Sequence, residues 1–197
     1  MAHPLDPPLI VAIGGTTKPG STTELALAVA VQAAEAAGAR VRLFDGAFLA
    51  RLPHYDPAAP RTADEQALIA AARAADGFLI ASPAYHGGVS GLVKNAIDLL
   101  EELKADPRPY FDGCAVGCIA TAYGPQGGGP VLAGLRAIVH AMRGWPTPCG
   151  GSVQAAPGLF ASDGACTNPK VAEQLATVGR QVAQFGLWRR AALEQVA

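Results

Sequence analysis

The stretch VAIGGTTKPGSTTEL, residues 11–25, decides the fold because it leads from a buried strand through a glycine-rich loop into a helix. The apolar run LIVAI at 9–13 has no polar alternation, which is typical of a strand covered on both faces. A helix is predicted over 21–38, where apolar residues recur at helical spacing and Gly38 gives a stop signal. Such a strand–loop–helix unit is typical of a parallel α/β sheet.

The same order of strand and helix repeats along the chain. Further strands are predicted over 40–45, 77–83, 114–121 and, irregularly, 145–154. The remaining helices are predicted over 62–75, 88–104, 131–143 and 168–190. Right-handed crossovers place the helices on both faces of the sheet. The sequence therefore predicts an α/β fold with a doubly wound, five-stranded parallel sheet.

Composition excludes several classes of protein. Half of the 197 residues are hydrophobic and 16% are charged, which predicts a single folded domain over 1–197 rather than disorder. The net charge of −1 gives no reason to expect nucleic acid or a membrane as partner. The apolar run at 9–13 is too short for a signal peptide or a span, so a cytoplasmic protein is expected. The four cysteines show no zinc spacing, and no metal site is predicted.

Three loops are expected to meet at one edge of this sheet. In doubly wound sheets, ligands bind beyond the carboxyl ends of the strands. The loops 14–21, 83–90 and 121–130 follow three predicted strands, and they are rich in glycine and hydroxyl groups. A ligand site is therefore predicted where these loops converge.

The first loop matches neither of the two common phosphate motifs. It lacks GxGxxG, and Ser21 stands where GxxxxGK[ST] requires lysine. What remains is glycine, hydroxyl groups and one cation at a helix N-terminus, which suits a single phosphate monoester. The residues predicted to hold that phosphate are Thr16, Lys18, Ser21, Thr22 and Thr23.

An alternative explanation of the first loop is a plain helix cap. Ser21 with Glu24 three residues later has the spacing of a capping box. Glu24 would also repel a phosphate unless its carboxylate points away. In the second loop, His86 is open to two interpretations, a solvent-exposed rim position or a ligand contact. Lys94 and Asp98 form an i,i+4 pair that is either structural or interfacial.

The chain resembles the NADPH-dependent FMN reductase family, which has a flavodoxin-like fold. The resemblance lies in two segments, GGTTKPGSTT and SPAYHGGVSGLVKNAIDLL. The second motif of that family runs Pro-x-Tyr-x-x-x-x-x-Gly-x-x-Lys-x-x-x-Asp, and this chain matches it throughout, at Pro83, Tyr85, Gly91, Lys94 and Asp98. The first motif is matched by Gly15 and Ser21. The resemblance extends over about 9–150. Lys18 replaces the usual arginine, so a point charge replaces a bidentate fork.

This resemblance implies FMN and NADPH as ligands, with no catalytic acid, base or nucleophile supplied by the protein. It implies that the flavin ring is lined by Pro83, Ala84, Tyr85, His86 and Gly87. The other edge of the ring, where the nicotinamide enters, would be bordered by Thr121, Tyr123, Gly124 and Gly127.

The resemblance also implies an activity and an assembly. The activity is that of an NAD(P)H-dependent FMN reductase, which transfers a hydride from NADPH to FMN and supplies reduced flavin to a partner monooxygenase. An FMN-bound reductase of quinones, azo compounds or metal oxyanions stays open. A flavodoxin-like electron carrier stays open as well. So does a flavodoxin-like module that binds a different phosphorylated ligand, or none, and acts by protein contact. A homodimer or homotetramer is expected.

Overall fold

The computed structural model describes residues 6–195, which form seven strands and six helices. The strands are β1 (Leu9–Gly14), β2 (Arg40–Phe44), β3 (Gly77–Tyr85), β4 (Gly88–Val89), β5 (Ala115–Ala122), β6 (Trp145–Pro146) and β7 (Gly151–Gln154). The helices are α1 (Thr22–Ala36), α2 (Gly46–Leu49), α3 (Ala63–Ala74), α4 (Gly91–Asp98), α5 (Gly128–Ala141) and α6 (Pro169–Glu194). A short 3-10 helix, Leu99–Leu103, continues α4.

The strands form one sheet in the order β2-β1-β3-β5-β6, and β7 also pairs with β5. All of these pairings are parallel. β6 and β7 share the last position of the sheet, interrupted at residues 147–150. If the hairpin strand β4 is left out of the numbering, this order becomes 2-1-3-4-5, which is that of the flavodoxin-like doubly wound fold. The predicted fold class is therefore confirmed.

The alternation of side chains along the central strands explains the two helical layers. Ile10 and Ala12 of β1 belong to a buried cluster with residues of α1 and α6. Val11 and Ile13 point the other way and belong to the cluster formed with α2, α3, α4 and α5. Because both faces of β1 are buried, its sequence is apolar without alternation.

The layer formed by α1 and α6 depends on one glycine. A Cβ atom built on Gly179 of α6 would lie 2.0 Å from the carbonyl oxygen of Ala30 in α1. Any side chain at this position would therefore push the two helices apart. The chain segment between α1 and α6 contributes most of the strands of the sheet whose one face these two helices cover.

Several element boundaries differ from the prediction. The sequence predicted that Pro83 ends its strand, but β3 continues to Tyr85, because Ala84 and Tyr85 pair with the antiparallel strand β4. Residues 88–89 consequently belong to that strand rather than to a helix, and α4 begins at Gly91. The predicted capping box of α3 is confirmed, with Thr62 and Glu65 bonding each other's backbone.

A buried carboxylate fixes the opposite edge of the sheet, where β1 and β3 begin. Asp76 accepts hydrogen bonds from Arg189 Nη1 and Arg190 Nε, each at 2.7 Å. It also accepts the backbone N–H of Leu9 at 2.9 Å. This cluster anchors the end of α6 far from the three ligand loops. Within residues 6–195, no helix combines the length and apolar character needed to cross a membrane.

Candidate functional site

The first loop is shaped by close backbone contacts that only glycine permits. A Cβ atom on Gly14 would lie 2.4 Å from the carbonyl oxygen of Ala81, in the middle of β3. A Cβ atom on Gly46, the first residue of α2, would lie 2.0 Å from the carbonyl oxygen of Thr16. The start of α2 therefore lies directly against the first loop and keeps that loop close to the edge of the sheet.

The N-terminus of α1 faces this loop. Ser21 caps the helix by accepting the backbone N–H of Glu24 at 3.3 Å. The hydroxyl of Thr16 lies 3.2 Å from both the N–H and the carbonyl oxygen of Lys18, which closes a tight turn. The first N–H groups of a helix have no partner inside the helix, so those that the Ser21 cap does not bind are available to an anion at this position.

Glu24 does not complete the predicted capping box. A reciprocal box would direct its carboxylate to the N–H of Ser21. Its Oε2 instead accepts the N–H of Gly20 at 2.9 Å. The carboxylate is therefore turned toward the loop and stays close to the predicted phosphate position.

The second loop is a tight hairpin between β3 and β4. His86 and Gly87 occupy its tip with φ of 51° and 79°, the left-handed pair of a two-residue turn. The hydroxyl of Ser82 accepts the N–H of Ser90 at 2.9 Å, which fixes the base of the hairpin. The side chain of Tyr85 is left 54% exposed beside the first loop.

The third loop is tied to the first by a buried hydrogen bond. The hydroxyl groups of Thr23 and Thr121 lie 2.6 Å apart, and both residues are buried. Two residues later, Tyr123 is 84% exposed, and its carbonyl oxygen accepts from Gln154 Nε2 at 3.3 Å. Exposed aromatic side chains thus stand at both the second and the third loop.

These loops enclose a cavity of about 200 Å³. Its lining includes ten residues that the sequence predicted for the site: Thr16, Lys18, Ser21, Thr22, Thr23, Pro83, Ala84, Tyr85, Thr121 and Tyr123. The other four predicted residues lie outside the lining, His86 and Gly87 at the hairpin tip and Gly124 and Gly127 before α5.

The sequence prediction missed three lining residues, Gly20, Ala122 and Ala155. Gly20 could have been included, since it lies inside the predicted loop. Ala122 and Ala155 have no chemical signal of their own, and they reach the cavity because the N–H of Ala155 bonds the carbonyl oxygen of Ala122 at 2.8 Å. Gly46, which shapes the first loop from α2, also gave no signal.

The arrangement fits a ligand with a phosphate at one end and a flat ring at the other. The hydroxyl-rich end of the cavity has Lys18 as the one cationic side chain among its described lining residues. The opposite end has Pro83, Ala84 and the two exposed tyrosines, Tyr85 and Tyr123. An anion suits the first end because helix N–H groups and hydroxyls can donate to it, and a heterocycle suits the second end by stacking.

Solved structures with a similar fold include flavin enzymes. FerB, a flavoenzyme NAD(P)H:acceptor oxidoreductase from Paracoccus denitrificans, superposes with a TM-score of 0.73 at 20% identity, covering 92% of this chain and 98% of that one. The apo form of the NADH:FMN oxidoreductase EMOB gives 0.68 at 25% identity, covering 92% of this chain and 89% of that one.

Sequence comparison identifies the family of the chain, which similarity of fold alone does not. An FMN-dependent NADPH-azoreductase of Staphylococcus saprophyticus is 39% identical over 85 residues, which are 42% of this chain and 40% of that protein. The match thus spans less than half the length of this relative. The model of the NADPH-dependent FMN reductase family matches residues 8–156, which include all three loops of the cavity. The resemblance seen in the loop motifs is therefore confirmed, and the chain belongs to the NADPH-dependent FMN reductase family.

Proposed function

We propose that this protein is an NAD(P)H-dependent FMN reductase that transfers a hydride from NADPH to FMN. The observation on which the proposal rests is the cavity itself, where a hydroxyl-rich helix N-terminus with Lys18 lies next to two exposed tyrosines. The family to which the chain belongs supports the same activity. The reduced flavin would then pass to a partner monooxygenase.

The residues of the first loop would hold the FMN phosphate. The N–H groups of the first turn of α1 would donate to the phosphate oxygens, and the hydroxyls of Thr22 and Ser21 would add further bonds. Lys18 is exposed and flexible enough to approach the same oxygens as a point charge. The buried bond between Thr23 and Thr121 keeps this cradle in register with the ring end of the cavity.

The ring end would orient the flavin for hydride transfer. When bound, FMN supplies the redox chemistry, and the protein supplies position. The backbone of Ala84 and the hairpin after it would face the polar edge of the ring. Tyr85 and Tyr123 are exposed, so they can cover part of the ring while leaving room for a nicotinamide. Hydride transfer between the nicotinamide and the flavin needs no side-chain acid or base.

Anaerobic flavin reduction tests this proposal. The purified protein is mixed with FMN, the quenching of flavin fluorescence gives the affinity, and NADPH is then added. Rapid bleaching of the visible flavin band is the expected result, while NADP⁺ in place of NADPH should leave the band unchanged. Binding of FMN without bleaching would contradict a reductase and favour an electron carrier. Absence of FMN binding would overturn the flavin proposal altogether.

A second candidate is an FMN-bound reductase of azo compounds or quinones. The similarity to an FMN-dependent NADPH-azoreductase favours it. The two candidates differ in whether FMN leaves between turnovers. Rates that depend on added FMN, measured after gel filtration of the protein, favour flavin supply. Rates that depend only on an added azo dye favour the second candidate.

A homodimer or homotetramer is part of the proposal. The groove between α4 and α5 has a volume of about 410 Å³ and combines apolar Ile138 and Met142 with charged Lys94 and Asp98. Lys94 and Asp98 pair with each other at 2.6 Å within the chain, and a second copy could exchange these partners. Sedimentation of the wild type should give a dimer or larger species, and Met142→Glu should shift it toward monomer.

The remaining elements of the proposal concern extent and compartment. We take residues 1–197 as one flavin-binding domain, because the cavity draws on loops from both halves of the chain. A cytoplasmic location is proposed because NADPH is supplied there. The unpaired cysteines at 114, 118, 149 and 166 suit a reducing compartment. Fractionation of cells that express the protein tests the location.

A further inference from the structure

We propose that Glu24 acts as an internal anionic competitor of the FMN phosphate and thereby keeps FMN exchangeable. The inference rests on the proposed function, since it concerns the same cavity. Glu24 would lower the affinity for FMN, and this affinity decides whether FMN is released between turnovers or stays bound.

The position of the carboxylate is the first observation. Glu24 lies in the first turn of α1, and its Oε2 accepts the backbone N–H of Gly20 at 2.9 Å. Gly20 lines the cavity between Lys18 and Ser21, two residues of the phosphate cradle. A negatively charged oxygen therefore already occupies a backbone donor that belongs to this loop.

The helix does not need Glu24 in this orientation. The hydroxyl of Ser21 already caps α1 by accepting the N–H of Glu24. A capping box would have sent the carboxylate to the N–H of Ser21, and here it reaches one residue further, to Gly20. The observed contact belongs to the loop and not to an ordinary helix cap.

The charges at the cradle then nearly cancel. Lys18 contributes one positive charge and Glu24 one negative charge, while a phosphate monoester brings about −1.5 to −2 at neutral pH. The net attraction for the phosphate then comes from hydrogen bonds that the backbone amides and hydroxyls of the loop donate. Glu24 is partly exposed, and repulsion between like charges a few ångströms apart near a protein surface corresponds to a loss of affinity of about threefold to tenfold.

Flavin binding by charge variants tests this role. Glu24→Gln keeps an oxygen that can accept from Gly20 and removes only the charge, whereas Glu24→Ala removes both. Glu35→Gln, on the exposed last turn of the same helix, is the matched control. The dissociation constants of FMN and riboflavin are measured for each protein, because riboflavin lacks the phosphate. The dissociation rate of FMN is measured by dilution.

The expected result is specific to the phosphate. Glu24→Gln should bind FMN about threefold to tenfold more tightly and release it more slowly, with riboflavin unchanged. Glu35→Gln should match the wild type with both flavins. Equal FMN affinity in Glu24→Gln and wild type would overturn the proposal, and so would an equal gain with riboflavin. Weakening by Glu24→Ala together with no change in Glu24→Gln would show that Glu24 only orders the loop, which also overturns it.

The same data separate this inference from the proposed function. If the wild type binds FMN and is bleached by NADPH but Glu24→Gln is unchanged, only the inference fails. If the wild type binds neither FMN nor riboflavin, the proposed function fails and the inference fails with it.

Discussion

Thr23 and Thr121 meet through their hydroxyl groups at 2.6 Å, although 98 residues separate them in the chain. The bond joins the first turn of α1 to the end of β5. Each hydroxyl is buried and has the other as its partner. The first and third loops of the cavity are therefore held at a fixed distance by one side-chain contact.

Replacing both threonines by valine should destabilise the protein by less than the sum of the two single replacements. Thr121→Val leaves the hydroxyl of Thr23 buried without its partner, which costs about 1–3 kcal/mol. The double variant Thr23→Val/Thr121→Val removes both polar groups and keeps the shape, so its cost should be smaller than the sum of the single ones. Urea unfolding of the four proteins gives the coupling energy. Strict additivity would contradict the bond.

Lys18 should increase the affinity for FMN through its positive charge. Lys18→Ala should weaken FMN binding by about tenfold, equal to about 1.4 kcal/mol, because a cation is lost from the phosphate. Lys18→Arg should tighten it by adding a bidentate contact. Riboflavin should respond to neither change. Lys104→Ala, at an exposed lysine paired with Glu101 outside the cavity, is the control. Loss of riboflavin binding in Lys18→Ala would mean that the loop itself had collapsed.

Gly46 should be intolerant of a methyl group. In Gly46→Ala the new Cβ would meet the carbonyl oxygen of Thr16 at 2.0 Å, so the first loop must move. We expect FMN affinity to fall by about tenfold or more, or about 1.4 kcal/mol. Gly134→Ala is the control, since a Cβ atom there meets nothing within 4 Å. That substitution lies inside α5 and should stabilise the protein by about 0.5–1 kcal/mol. Unchanged flavin binding in Gly46→Ala would refute the shaping of the loop by α2.

Asp76 should be important for stability and irrelevant to flavin. Asp76→Asn leaves Arg189 and Arg190 without their carboxylate, and breaking such a buried pair costs about 3 kcal/mol or more. Asp64→Asn breaks the exposed pair with Arg51, which water screens, so it should cost much less. Denaturant unfolding measures both. Equal stability of the two variants would contradict a structural role for Asp76, and so would a loss of FMN affinity in the folded Asp76→Asn protein.

The thiols should react in two classes. Burial raises the pKa of Cys118 to about 12 and also raises the pKa of Cys114, so both stay protonated at pH 8. Cys149 and Cys166 are only half-buried. An aromatic disulfide reagent at pH 8 should modify these two in the native protein and the other pair only after unfolding. Variants that lack Cys149 or Cys166 assign the fast phase. Rapid modification of Cys118 in the native protein would contradict its burial.

The strand–loop–helix pattern predicts much of this molecule, because a buried parallel sheet forces its strands to be continuously apolar. LIVAI at 9–13 is such a run, and the structure places β1 at Leu9–Gly14. The three ligand loops were predictable for the same reason. Parallel strands send their carboxyl ends to one edge, so Ser21, Tyr85 and Thr121 converge although they are far apart in sequence.

The features that escaped prediction depend on contacts between distant segments. Nothing near Gly46 indicates that the backbone of Thr16 will lie against it. From the sequence, the carboxylate of Glu24 could accept the N–H of either Ser21 or Gly20. Only the conformation of the folded loop determines that it accepts the N–H of Gly20. Pro83 was predicted to end β3 on local grounds, and the hairpin with β4 overrides that signal.

The close contact of Gly179 with Ala30 has a consequence for synthesis on the ribosome. α1 is made before α6, yet the apolar side that α1 shares with β1 and β3 is completed only by α6. Until residues 169–194 have left the exit tunnel, the nascent chain exposes that side to chaperones and to other nascent chains. Stalled or truncated translation products should therefore aggregate, even when they contain every residue of the flavin cavity.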